Sequence, residues 1–124
     1  MIKELCLMNS TSGDEGAVRN FIVNEIKDYC EYRIDNLGSI IAFKKGKNVP
    51  NNKVMLCAHM DEVGFIITDI TDDGYLKFSA VGGIDSKVIA GRVLKVNDTL
   101  GVVGLKPIHL MSTDETEKAP STNE

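Results

Sequence analysis

Between residues 64 and 110 the chain lacks any strong recurrence of apolar residues at three- and four-residue steps, and this limits its fold more than any other feature. Residues 64–70, 75–80, 92–96 and 99–105 instead read as short strands. Asp72-Asp73-Gly74, Gly82-Gly83 and Asn97-Asp98 separate them as turns, because Gly, Asn and Asp tolerate the backbone angles that tight reversals need. This half predicts a small all-β module, a barrel or a sandwich. Gly82-Gly83 and Gly91 are too loosely spaced for a phosphate cradle and have no strand-to-helix context, so they too read as turn residues.

The first half has a different period. Val18, Phe21, Ile22, Ile26, Tyr29 and Cys30 recur at helical spacing and give one apolar face, with Arg19, Asn20, Glu25 and Lys27 mainly on the other. Ser12 and Glu15 stand at capping-box spacing before that run, which predicts a helix beginning there. A shorter helix is expected around Ile2, Leu5 and Cys6. Beyond residue 31, Tyr32 and Ile34 alternate with charged neighbours, Asn36-Leu37-Gly38 makes a turn, and residues 39–43 read as a strand. After a polar loop at 46–52, Val54-Met55-Leu56-Cys57-Ala58 is a continuous apolar run, the pattern of a strand covered on both faces. A helix followed by these strands suits an α/β layer.

A chain of 124 residues forms one ordinary domain, or one small domain plus part of another. With 43% hydrophobic and 26% charged residues it is a globular composition, not a disordered one. The net charge of −4 argues against nucleic acid or an anionic membrane as the main partner. No run approaches the ~20 apolar residues that span a bilayer, and Lys3-Glu4 is not followed by a signal-peptide layout. Cys6, Cys30 and Cys57 lie far apart in apolar segments with no CxxC pair, which reads as buried free thiols in a reducing compartment and so as a cytoplasmic protein.

The chemistry-bearing segment is the end of the apolar run, Ala58-His59-Met60-Asp61-Glu62. Side chains at the carboxyl ends of strands in open α/β sheets leave the core and converge in a crevice. A period of two puts His59 and Asp61 on the same side. Imidazole ligates zinc, cobalt and similar ions, and a neighbouring carboxylate can fix its tautomer. His-x-Asp alone is a short motif, and on chemistry alone both a structural and a metal-binding role for His59 stay open.

Residues 54–65, VMLCAHMDEVGF, resemble the signature of the glutamyl- and deblocking-aminopeptidase family of dinuclear metallopeptidases. That family includes the tetrahedral aminopeptidases, and some members once carried cellulase or endoglucanase labels. Ser12-Gly13-x-Glu15, Asp35-Asn36-Leu37-Gly38, Val81-Gly82-Gly83, Gly91-Arg92-Val93 and the 104–110 stretch follow the family's pattern in order, so the resemblance covers roughly residues 1 to 120. It implies that His59 is a metal ligand and that Asp61, of the catalytic machinery, is the acidic partner supporting it. It also implies an arrangement of parts: residues 1–62 as the N-terminal part of an α/β catalytic domain, 63–111 as a β-barrel-like dimerisation domain, and 112–124 as a polar tail. His109 falls in that β domain and is expected to be structural or at the surface.

In the family two divalent ions, zinc or cobalt, are held largely by residues that follow the β domain, and those positions have no counterpart up to Glu124. One histidine cannot supply a two-metal site. The expectation is therefore an N-terminal fragment of an aminopeptidase acting on short peptides, inactive alone, binding no metal tightly, and homo-oligomeric through its β domain. A non-catalytic oligomerisation module is the competing reading. A glycoside hydrolase is disfavoured, since the sequence has no Trp and 6% aromatic residues to stack on sugars. Loss of the remaining sheet would also leave the 54–57 run and the Phe21/Ile22/Ile26 stripe partly uncovered, which favours association or rearrangement.

Overall fold

The computed structural model describes residues 1–48 and 51–105. The 106–110 part of the family-like pattern, His109 and the polar tail at 112–124 lie outside the described residues. The chain divides into two compact units, Met1–Glu62 and Val63–Glu124.

In the first unit α1 (Ile2–Leu5) is a single turn, and α2 (Gly16–Ile26) is the amphipathic helix. Val18 on α2 is buried, Phe21, Ile22 and Ile26 are half-buried, and Tyr29, beyond the helix end, is exposed. The helix starts later than the capping-box spacing predicts. Its N-cap is Glu15, with no side-chain hydrogen bond to the first turn. The Glu15 carboxylate instead accepts from the Gly13 N–H at 2.7 Å, and the Ser12 hydroxyl is engaged elsewhere.

Strands β1 (Glu31–Ile34) and β2 (Ile40–Phe43) form an antiparallel hairpin, with Glu31 opposite Phe43 and Ile34 opposite Ile40. Asp35 organises its turn. Its Oδ1 accepts from the Ser39 N–H at 2.8 Å and the Leu37 N–H at 3.0 Å, while Gly38 takes a φ of 89° that a side chain would oppose. Arg19 of α2 donates to the Gly38 carbonyl at 3.5 Å.

The run at 54–58 departs from the expectation of a strand covered on both faces. It is in no strand, and Val54, Met55 and Leu56 are 87%, 84% and 93% exposed; Cys57 and Cys6 are exposed too and Cys30 is half-buried, where apolar neighbours predict buried thiols. The reason is the lack of a neighbour. Among the described residues β1 and β2 pair only with each other, and neither of their free edges is laddered to 54–58. An apolar run states the burial its residues favour, but a strand also needs backbone partners on its flanks.

Among the described residues of the second unit, strands fall where the spacing predicts them and pair as hairpins. Strands β3 (Gly64–Ile70) and β4 (Leu76–Val81) pair antiparallel, with an irregularity between Ile67 and Asp69. Phe65 and Phe78, diagonal across the ladder, meet edge to face with centroids 5.0 Å apart. A 3₁₀ turn at Ser86–Val88 follows, started by Asp85, whose carboxylate accepts from the Lys87 N–H. Strands β5 (Val93–Val96) and β6 (Thr99–Val102) close around Asn97, which takes a φ of 51°. Gly91 N–H to Val103 O and Val103 N–H to Arg92 O, both 2.9 Å, extend that ribbon, with Ile89 and Val103 buried. The described strands thus form three two-stranded sheets, none of them joined to another by a ladder.

Gly82, at a φ of 89°, sits where an added Cβ would lie 2.8 Å from Val63 Cγ1, whereas Gly74, at 84°, has open space around it. Valine is stiff at χ1 and yields little. Gly74→Ala is expected to cost about 1 kcal/mol from the left-handed backbone alone, and Gly82→Ala about 2–3 kcal/mol, read by urea unfolding.

The Ser39 N–H, with help from Leu37, holds Asp35 below the usual carboxylate range against the opposing effect of desolvation. A carboxylate with a lowered folded pKa contributes stability that is complete above its unfolded value and is lost as pH falls through the folded one. Amide protection at Leu37 and Ser39 should therefore weaken below about pH 4. In Asp35→Ala it should already be low at neutral pH and show no such acid step.

Candidate functional site

The segment 59–62 is held by a loop far away in sequence. The Glu62 N–H donates to the Ser10 carbonyl at 2.8 Å, and the Ser10 N–H donates back to Glu62 Oε1 at 3.2 Å. Thr11 and Glu62 form a parallel bridge. Ser10 is 5% exposed, so these bonds satisfy a backbone that water scarcely reaches. One residue further along each segment, the Ser12 hydroxyl donates to Asp61 Oδ2 at 2.5 Å.

Asp61 turns its other oxygen to His59. The ring Nδ1 lies 3.2 Å from Asp61 Oδ1 and 2.9 Å from the Asp61 carbonyl. Both are acceptors, so the proton of a neutral ring belongs on Nδ1 and the lone pair on Nε2. His59 is 86% exposed, so nothing packs against the ring to orient it, and the Nδ1 contacts are what hold it. The Ser12 hydrogen bond, with smaller help from backbone and from His59, keeps Asp61 below the usual carboxylate range, against desolvation. The order of these groups is not that of a serine hydrolase. There the imidazole takes the hydroxyl proton, whereas here the hydroxyl donates to the carboxylate.

Sequence reasoning paired His59 with Asp61, and the structure places them together. It missed Ser12 and Ser10. The Ser12–Glu15 spacing reads as a helix cap, and nothing local in a sequence reports a contact 49 residues away. An imidazole with its Nδ1 fixed by a carboxylate and its Nε2 toward solvent fits one position of a metal's ligand set. Among the described residues no group of three or more His, Cys, Asp or Glu could hold an ion.

The sequence profile of the M42 glutamyl aminopeptidase family matches residues 38–124. The chain belongs to that family, whose members are metal-dependent aminopeptidases. A putative aminopeptidase of Acetivibrio thermocellus is 42% identical over 105 residues, covering 84% of this chain and 30% of that protein. The glutamyl aminopeptidase of Lactococcus lactis subsp. cremoris is 31% identical over 99% of this chain and 37% of its own length. The chain thus spans about a third of the length of the curated relatives it matches.

Among solved structures, a TET aminopeptidase from the marine sediment archaeon Thaumarchaeota archaeon SCGC AB-539-E09 superposes with a TM-score of 0.83 at 31% identity, over 98% of this chain and 35% of that one. The TET1 peptidase of Pyrococcus horikoshii, which can assemble into a tetrahedron or a large octahedral shell, gives 0.75 at 34% identity, over 98% and 37%. A Thermotoga maritima protein named an endoglucanase gives 0.79 at 38% identity, over 98% and 42%.

The Ser10–Glu62 exchange predicts a graded mutational response. Glu62→Ala strips the acceptor from a nearly buried N–H and should cost about 1–2 kcal/mol, while Glu62→Gln keeps an oxygen there and should cost less. Exchange protection of the Ser10 amide is the direct measurement.

Proposed function

We propose that this chain is the N-terminal part of a metal-dependent aminopeptidase that removes N-terminal residues from short peptides, and that it does not turn over by itself. The carrying observation is the His59 ring, bound through Nδ1 by Asp61 and presenting Nε2 outward. In this reading His59 supplies one ligand to a divalent ion, zinc or cobalt. Asp61 holds the proton on Nδ1 and keeps the Nε2 lone pair aimed outward. A divalent ion supplies Lewis acidity for polarising a scissile carbonyl. One imidazole leaves most of an ion's coordination to other residues, so the chain alone holds the ion loosely.

Residues 63–111 are assigned as the β domain through which copies associate. Exposed Val63, Ile66, Ile70, Val93, Leu100 and Val102 in that unit support assembly, as do relatives that build closed shells. Cytoplasmic placement is part of the same reading and rests on the three free thiols. The endoglucanase name of one relative finds no support in this sequence, which has no Trp.

Purified chain, assayed on aminoacyl anilides with added cobalt or zinc, is expected to give no turnover above buffer. Sustained hydrolysis would sink the claim of inactivity. Zinc titration followed through the backbone amide resonances of residues 59–62 should show weak binding that is lost in His59→Ala.

A further inference from the structure

The Asp61 carboxylate is held at both oxygens by different partners, Oδ2 by the Ser12 hydroxyl at 2.5 Å and Oδ1 by His59 Nδ1 at 3.2 Å. We infer that Ser12 is a positioning residue, whose hydroxyl sets the rotation of the Asp61 carboxylate and through it the tautomer and direction of the His59 ring. This inference rests on the reading of His59 as a metal ligand only for its purpose, because the geometry itself needs no ion.

Three observations carry it. The Ser12 bond is a charge-assisted O–H···O⁻ contact at the short end of the range, the strong kind. The torsion it restrains, χ2 of an aspartate, is otherwise broad and nearly two-fold, so a carboxylate without this donor samples many angles. The imidazole downstream is 86% exposed and has no packing to replace a lost polar contact. Ser12 is itself carried to Asp61 by the reciprocal bonds of Ser10 and Glu62 and by the Asp14 N–H to Thr11 O turn at 2.7 Å. With the Glu15 carboxylate turned back to the Gly13 N–H, and no side chain capping α2, the hydroxyl is committed to Asp61 and not to the helix.

A plain structural clip between the two segments would make a different prediction. Removing it would loosen the loop and leave the ring's protonation pattern alone. The deciding experiment is therefore spectroscopic and metal-free. Long-range ¹H–¹⁵N spectra of the 124-residue chain, recorded above the ring's titration, report which nitrogen of each imidazole carries the proton. The sequence has two histidines, and His109→Gln assigns them.

The parent chain is expected to show His59 protonated mainly at Nδ1. Ser12→Ala should move it toward the Nε2–H form that imidazole side chains favour in water, with Ser10 and Glu62 amide protection kept. Ser12→Thr should restore the parent pattern. Unchanged His59 shifts in Ser12→Ala would overturn the inference. Should the alanine variant also lose protection at Ser10 and Glu62, the near-isosteric pair Ser12→Thr and Ser12→Val decides. A parent-like ring in Thr and a shifted ring in Val supports the role, and equal rings in both overturn it.

With zinc added, affinity at His59 should fall ~10-fold in Ser12→Ala, the low end of what supporting groups contribute. A parent chain whose His59 resonances ignore zinc would remove the metal reading of the preceding section, while the metal-free comparison still decides the role of Ser12.

Discussion

The pairing of residues 10–12 with 61–62 is the constraint on which the first unit depends. It closes about fifty residues of chain through backbone bonds at Ser10 and a side-chain bond at Ser12. Closing a loop of that length costs entropy, and the bonds at Ser10 help to offset it because they satisfy a backbone that water scarcely reaches. The same contacts bring Asp61 to a fixed place beside His59. Fold and site therefore draw on neighbouring hydrogen bonds of one pairing, those at Ser10 closing the loop and the one at Ser12 reaching Asp61.

Such sharing explains why a site can be organised where so little is buried. Val18 is the only buried apolar side chain among the described residues of the first unit. Packing therefore gives little rigidity to segment 59–62. Directional polar contacts replace it, passing from a buried backbone at Ser10, to a half-exposed carboxylate at Asp61, to an open imidazole at His59. Membership of the M42 family gives this arrangement its chemical context, and the share of its relatives' length that the chain spans gives its limits.

Periodicity made the elements legible. The stripe from Val18 to Ile26 marks α2, and alternation bounded by Asp, Asn and Gly marks the hairpins, since helix and strand leave different local repeats. Pairings between distant segments were not legible in the same way. Ser12 reads as a cap because capping chemistry and carboxylate-binding chemistry use the same hydroxyl, and only the approach of Asp61 decides between them. The run at 54–58 reads as a buried strand because Val, Met, Leu and Cys favour that state, while the neighbours that would create it are not encoded in the run. Proximity of His59 to Asp61 was readable because two residues in an extended chain point the same way by geometry alone.

The bare stretch Val54-Met55-Leu56 has a cost during synthesis and storage. Apolar, exposed, and without a ladder on either side, it offers backbone onto which the same stretch of another molecule can add in register, the first step toward cross-β stacking. Lys53 before it, and Asp61 and Glu62 after it, place like charges next to one another in any such stack and act as gatekeepers against its growth. Salt screens that repulsion, so the solubility of this chain should be governed by ionic strength through three exposed apolar residues and the charges that flank them.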